Sequence, residues 1–241
     1  MKAMVMQKTA VCLISGGMDS AVAAAIARTE GYEVYPVFVD YGQRTAQNEL
    51  EHAKRVSDHL GCKDLKVCKF NWLSQIGRSA LTDKLIEVPV NVDLGDYKTN
   101  VTYVPFRNTI LLSIGIAYAE TIGAQAVFSG IEPDNANPDT KVEYISAMQT
   151  VSYLGTRDGT YVLLRCPFIE LGFRDKSDII RKGMELKVPF ELTHSCYKSD
   201  SEKACGKCEK CMRRYLAFIN AGCKDPIAYE VIPDISRYKS K

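Results

Sequence analysis

The chain of 241 residues has no apolar run near the roughly 20 residues that a membrane span requires. Its N-terminal apolar stretch, Ala10 to Ile14, is too short for the core of a signal peptide, so a soluble, cytoplasmic protein is expected. There is little charge imbalance: 31 Lys+Arg face 29 Asp+Glu, a net of +2. That balance argues against a strongly electrostatic nucleic-acid binder, and direct nucleic-acid binding is not expected. No low-complexity segment and no internal repeat is present. Two common nucleotide signatures are also missing, the Gly-Lys-Ser/Thr of a Walker A loop and the Gly-x-Gly-x-x-Gly of a dinucleotide fold. What remains is an ordinary globular mix, 46% hydrophobic and 25% charged, long enough for one domain with a small appended module.

Cysteine is plentiful but unevenly placed. Nine cysteines is an odd count for a disulfide scaffold and fits reduced thiols and metal ligands better. Cys12, Cys62, Cys68 and Cys166 are scattered, whereas Cys196, Cys205, Cys208 and Cys211 cluster.

The first 130 residues alternate between two patterns. Ala10–Ile14, Val34–Val39, Leu65–Val67 and Ala126–Ser129 read as strands. Asp19–Glu30, Gln43–Leu60 and Arg107–Thr121 read as helices, the last with Ile110, Leu111, Ile114, Ala117 and Tyr118 on one face. Further on, Val142–Leu154, Lys176–Lys187 and Glu209–Ala221 read as helices and Tyr161–Arg165 as a strand. Repeated βα units predict an α/β fold with a doubly wound parallel sheet. Residues 81–101 look like an excursion from the core, and 131–139 like a loop. Residues 1–190 are expected to form the α/β domain, and 191–241 a C-terminal helical zinc-binding module.

Ser15-Gly16-Gly17-Met18-Asp19-Ser20 follows the first strand and opens a helix. In an open α/β sheet that is where ligands bind. Two glycines let backbone N–H groups approach a phosphate, the helix N-terminus adds positive potential, and Ser15 and Ser20 add hydroxyls. Asp19 would repel a phosphate unless it holds Mg²⁺ or orients a neighbour. The plainer alternative is a tight turn with Asp19 or Ser20 as helix cap.

Cys196-x8-Cys205-x2-Cys208-x2-Cys211 offers four thiolates in sixteen residues, a set that suits a closed structural zinc site. An iron–sulfur cluster or free buried thiols are the competing readings. Lys203, Lys207, Lys210 and Arg213 would offset the negative charge of a four-thiolate site.

Leu13 to Ser20 resembles the pyrophosphate loop of the ATP pyrophosphatase (PP-loop) superfamily. With Asp40-Tyr-Gly-Gln-Arg44, Ser79-Ala-Leu-Thr82, Thr102-Tyr-Val-Pro-Phe-Arg-Asn-Thr109, His194-Ser-Cys-Tyr197 and Ala204-Cys-Gly-Lys-Cys208 plus Cys211, the chain resembles the 7-cyano-7-deazaguanine synthase (QueC/ExsB) family along nearly its whole length. The resemblance implies a ligase that uses ATP and ammonia to turn 7-carboxy-7-deazaguanine into its nitrile, with Mg²⁺, a structural zinc ion and a homodimer. It implies ATP binding by Leu13, Ile14, Ser15, Gly16, Gly17, Met18, Asp19 and Ser20, and zinc binding by Cys196, Cys205, Cys208 and Cys211. Asp19, Ser20 and Arg107 are the candidate catalytic residues. Bringing a carboxylate to an α-phosphate requires cations, for which Arg107 and Arg44 are candidates. Arg107 stands at a helix start, where a cation is electrostatically misplaced. Asn108 is a candidate for the substrate or for capping that helix, and Asp139 or Glu143 could accept the N–H donors of a deazaguanine.

The chain departs from the family between Glu132 and Tyr144, where a Ser-Gly-Tyr is absent and Cys-Arg has become Thr140-Lys141. His194 stands where the family has Trp. The departure falls on the acceptor side, which keeps three alternatives open. One is a paralogue that stops at the amide or couples another amine, another is a tRNA-modifying PP-loop enzyme, and the third is a non-catalytic zinc-tailed binder. Trp72, with Phe70, is expected in the core.

Overall fold

A computed structural model of the chain describes residues 7–92, 94, 101–132, 137–157, 161–198, 201 and 203–238. Parts of the two segments read as excursion and loop, 93, 95–100 and 133–136, lie outside the described residues. Five strands form one sheet: β1 Thr9–Leu13, β2 Glu33–Asp40, β3 Lys66–Lys69, β4 Ala126–Phe128 and β5 Leu163–Arg165. The order is β3-β2-β1-β4-β5 and every pairing is parallel. Eight α-helices accompany them among the described residues: α1 Met18–Thr29, α2 Ala46–His59, α3 Trp72–Ile76, α4 Arg107–Ile122, α5 Val142–Gly155, α6 Pro167–Glu170, α7 Lys176–Glu185 and α8 Glu209–Asn220. None is long and apolar enough to cross a membrane.

The doubly wound sheet follows from β1. Ala10, Cys12 and Ile14 point to a core shared with α1 and α2, while Val11 points to one shared with α4. A strand apolar at four successive positions, Ala10 to Leu13, must be covered on both faces. The chain steps outward from β1 to β2 and β3, then returns to place β4 on the other side of β1. The carboxyl ends of β1 and β4 therefore flank the switch point, the usual ligand crevice of such sheets.

Several expectations shift. α2 starts at Ala46 rather than Gln43, because Gly42 turns in the left-handed region and Gln43 uses its carboxamide oxygen to accept from Tyr41 N at 2.9 Å. β5 is shorter at its start, beginning at Leu163. On α4 the buried face is Leu112, Gly115, Ile116 and Ala119, whereas Ala117 is exposed. Ile110, Leu111 and Ile114 pack instead against a second cluster with Val39, Tyr41 and Leu73, so α4 is covered from two sides. Trp72 is 50% exposed and does not belong to the core.

The excursion is tied down at the cysteines. Ala80 and Val88 share a cluster with Cys196, Cys205, Cys208 and Cys211, and Val90 bridges Cys208. α8 in turn contributes Ala217 and Phe218 to the core beneath α1 and α7. The C-terminal segment is thus packed into the α/β body on two sides.

Candidate active site

The loop after β1 is shaped by hydrogen bonds and close packing. Ser20 Oγ donates to Gly17 O at 3.0 Å and accepts from Ser15 N at 3.1 Å. Ser15 Oγ lies 3.2 Å from Ser20 Oγ and accepts from Gly17 N at 3.3 Å. Gly16 has φ +77°, and a Cβ there would lie 2.5 Å from Glu49 O and 2.9 Å from Ala53 N, both backbone atoms of α2. Glycine is therefore required on steric and conformational grounds alike. Gly17 is the N-cap of α1 and supplies no capping side chain, so first-turn N–H groups are available to an anion. Across the switch point, a Cβ on Gly130 would come within 2.7 Å of Asp19 C and Ser20 N. The segment after β4 thus passes directly against the loop.

Asp19 meets Lys176, the first residue of α7. Lys176 Nζ donates to Asp19 Oδ2 at 2.9 Å and to Glu132 Oε2 at 2.7 Å. The Lys176 side chain is only 10% exposed. Burial would push the Glu132 carboxyl up, but Lys176, Lys210 and Arg213 outweigh it and hold it below the usual carboxylate range. Asp19 Oδ1 is buried and has no partner among the described residues.

These groups line a cavity of about 300 Å³, at the lower end of the roughly 300–1,000 Å³ found for small-molecule sites. Loop residues Ser15, Gly17, Met18, Asp19 and Ser20 form one wall. Arg107, Asn108, Asp139, Tyr41 and Tyr197 form another, and Glu209, Lys210 and Arg213 of α8 close it. Arg107 lies 5.9 Å from the Tyr41 ring centre and donates to its hydroxyl at 3.4 Å. Burial pushes the Tyr41 phenol up to about 12, with Arg107 opposing the rise. α4 opens on Phe106 in the left-handed region with no side-chain cap of its own. Asp139 Oδ2 accepts from Asn108 N at 3.1 Å instead, and Asn108 Nδ2 donates to Asp139 O at 3.2 Å. Asn108 is therefore not the cap. The cap is Asp139, arriving from a distant segment.

Of the residues expected at the site, the loop apart from Gly16, which faces α2, and Arg107, Asn108 and Asp139 converge on this cavity. Arg44 and Glu143 do not line it. Arg44 Nη2 donates to Asp83 O at 3.1 Å and Ile86 O at 2.9 Å, which fastens the excursion. Glu143 is exposed on α5. His194 is packed beneath the loop. Its backbone N–H donates to Gly16 O at 2.8 Å, its ring stacks on His52 at 5.2 Å, and burial, together with His52, pushes its pKa down. Sequence reasoning gave no role to Lys176. The available signal is the one that marks Arg107, a cation on the first turn of a helix where the dipole disfavours it.

The Sγ atoms of Cys196, Cys205, Cys208 and Cys211 all lie within 4.8 Å of one another. A tetrahedral zinc with Zn–S bonds of about 2.3 Å places sulfurs about 3.8 Å apart. Cys205 and Cys211 are at 3.9 Å and Cys208 and Cys211 at 3.4 Å. A cluster of several irons would need the sulfurs spread further. Backbone N–H groups of Lys198 and Cys205 donate to Cys196 Sγ, and those of Lys207 and Cys208 to Cys205 Sγ. Such bonds favour thiolates, as does the N-terminus of α8, where Cys208 is the N-cap. The donor set fits one zinc ion.

The family described as queuosine biosynthesis protein QueC matches residues 9–222. The 7-cyano-7-deazaguanine synthase of Sulfurovum sp. (strain NBC37-1) is 46% identical over 227 residues, covering 93% of this chain and 99% of that protein. The synthases of Chlorobium phaeobacteroides (strain DSM 266) and Methanospirillum hungatei JF-1 are 44% and 42% identical, covering 93% and 91% of this chain and 98% and 99% of their own.

Proposed function

The chain belongs to the QueC family of queuosine biosynthesis, and on that premise we propose that its cavity carries out both activations that lead from 7-carboxy-7-deazaguanine to the nitrile. One observation carries the proposal: the serine–glycine loop lies at the switch point, against a wall that holds Arg107 and Asp139.

In the first activation, an acceptor carboxylate oxygen bonds to the α-phosphorus of ATP. The bond to the bridging oxygen breaks, and pyrophosphate leaves with the electron pair. Ammonia then attacks the acyl carbon, and AMP departs to give the amide. In the second, the amide oxygen bonds to the α-phosphorus of a second ATP, and pyrophosphate again leaves with the electron pair of the bridging bond. Loss of AMP and of the remaining nitrogen protons leaves the nitrile. The loop residues Leu13 to Ser20 hold the phosphates through N–H groups and hydroxyls. Arg107 offsets the repulsion between carboxylate and α-phosphate. Asp139 accepts an N–H of the base with the oxygen lone pairs that Asn108 leaves open. Asp19 Oδ1, buried and unpartnered, would hold Mg²⁺, which would offset the negative charge of the phosphates. Zinc, when bound, fixes the start of α8. Residues 191–241 act as a metal-held module that brings Lys210 and Arg213 to the α/β domain of residues 1–190.

Nine free cysteines, four of them facing one another, suit a reducing cytoplasm. A homodimer is supported by the outward end of α5, where Val151, Tyr153 and Leu154 are exposed beside Tyr161. Light scattering should return twice the chain mass, and Leu154→Glu should shift it towards the monomer. A Leu154→Glu mass equal to the parent's would remove this surface from the proposal.

The decisive test is mass spectrometry of the product formed from 7-carboxy-7-deazaguanine, ATP, Mg²⁺ and ammonium. The nitrile is expected. Amide alone would show that the second activation is lost in this chain. Unchanged acid without AMP would overturn the acceptor assignment.

A further inference from the structure

We propose that Lys176 is a catalytic residue that binds the pyrophosphate end of the nucleotide, and that Glu132 is a positioning residue that competes for its ammonium. The proposal rests on the reading of the Ser15–Ser20 loop as the phosphate site.

Three observations carry it. The first is placement. Lys176 lines the same cavity as Ser15, Gly17 and Ser20, and its Nζ touches Asp19 Oδ2 within the loop. The second is charge. One buried ammonium stands between two carboxylates, beside a cradle built for anions. A triphosphate arriving there adds negative charge to a triad already at net −1, so the ammonium gains by turning towards it. Two of its three N–H donors serve Asp19 and Glu132, and the third is left for a phosphate oxygen. A strut with no ligand would be built at lower desolvation cost from apolar side chains.

The third is connectivity. Glu132 lies two residues beyond Gly130, on the segment that leads to Asp139. Lys176 therefore joins the nucleotide loop to the acceptor wall. When the α–β bond breaks, charge builds on the bridging oxygen as its electron pair leaves with pyrophosphate, and a cation there stabilises the leaving group. As Lys176 turns its ammonium towards the phosphates, its hold on Glu132 weakens and Lys210 and Arg213 carry more of it, so nucleotide occupancy is felt by the acceptor segment.

The experiment titrates Mg²⁺-pyrophosphate calorimetrically into the zinc-loaded full chain and its variants. Lys176→Met should weaken binding about tenfold or more, the loss of one charge-assisted hydrogen bond. Glu132→Gln should tighten it by about threefold, as a partly exposed competitor is removed. In the double variant the gain should vanish, because it acts through Lys176. In turnover, Lys176→Met should lower kcat for pyrophosphate release as well as raise KM for ATP. A strut would not give opposite signs for the two variants. If Lys176→Met binds like the parent, the catalytic role falls. If the Glu132→Gln gain survives in the double variant, Glu132 acts as a bare charge and the positioning role falls. Should Lys176→Met fail to fold, Glu132→Gln still decides, and unchanged or weaker binding overturns the inference. No pyrophosphate binding by the parent chain would instead overturn the loop reading beneath it.

Discussion

Arg214 and Asp225 meet through two hydrogen bonds, Nε to Oδ2 at 2.8 Å and Nη2 to Oδ1 at 2.9 Å, with both side chains sealed from water. The remaining groups are also satisfied. Arg214 Nη1 donates to Thr193 Oγ1 at 2.7 Å, Nη2 to Phe190 O at 3.0 Å, and Tyr229 OH to Asp225 Oδ2 at 2.7 Å. The residue after Thr193 holds the Ser15–Ser20 loop, since His194 N donates to Gly16 O. α8 thereby reaches the loop through one guanidinium.

Breaking that pair should cost more than its net contribution, because the surviving charge is left buried and alone. Arg214→Ala or Asp225→Ala should lower unfolding stability by about 3–5 kcal/mol. Arg214→Lys should recover little of it, because a lysine cannot reproduce the two-pronged contact. Urea midpoints at fixed slope measure this, and an Arg214→Ala loss below about 1 kcal/mol would rank the pair with ordinary surface bridges.

The four clustered thiols should bind one zinc per chain by elemental analysis. Cys208→Ser should lower that content and, because Cys208 and Cys211 tie the start of α8 to Cys196 and Cys205 through the shared metal, withdraw Lys210 and Arg213 from the cavity. Turnover should fall in step with zinc on chelation. Iron with inorganic sulfide would return the cluster reading, and full activity without metal would separate the zinc site from the placement of α8.

Much of this was legible because it is local. β1 is apolar at successive positions, which fixes a strand covered on both faces. Ser15 to Ser20 sits between a strand and a helix, and the cysteine spacing marks a metal site, whereas the choice of one zinc over an iron–sulfur cluster waits on the sulfur–sulfur distances in the fold. What escaped depends on distant partners. α4 is capped by Asp139, 31 residues beyond Asn108, so a local search for its cap settles on the wrong residue. Ala117 lies outside because α4 is gripped by two clusters, and its buried stripe is not the one its most hydrophobic residues describe. Lys176 reaches Asp19 across 157 positions, and Arg44 is drawn into the excursion by two carbonyls that no sequence window contains.

Acid should act on Glu132 in a definite direction. Its carboxyl is held below the ordinary range in the folded chain, so it contributes stability above the unfolded value of about 4.3. That contribution fades as pH falls through the folded value. Glu132→Gln should therefore melt below the parent at pH 7, and the two melting curves should converge as pH drops beneath about 4. A gap that stays constant from pH 7 to about pH 3 would mean the pairing with Lys176 adds nothing to the fold.

Gly130→Ala tests whether the close approach of the segment after β4 to the loop matters for binding. The added Cβ would lie 2.7 Å from Asp19 C and Ser20 N, backbone atoms that cannot swing aside, so the loop itself must move. Overpacking of this kind costs about 1–3 kcal/mol. Here the strain falls on the loop proposed to hold the nucleotide phosphates, so the KM for ATP should rise severalfold while zinc content stays at one per chain. Gly123→Ala supplies the contrast. Gly123 has φ +69° and nothing within 4 Å of its Cβ position, so its cost of about 1 kcal/mol is backbone strain alone, far from the cavity. It should lower Tm and leave KM untouched. If both variants lose stability alike and neither changes KM, the contact between Gly130 and the loop serves the fold and not the nucleotide.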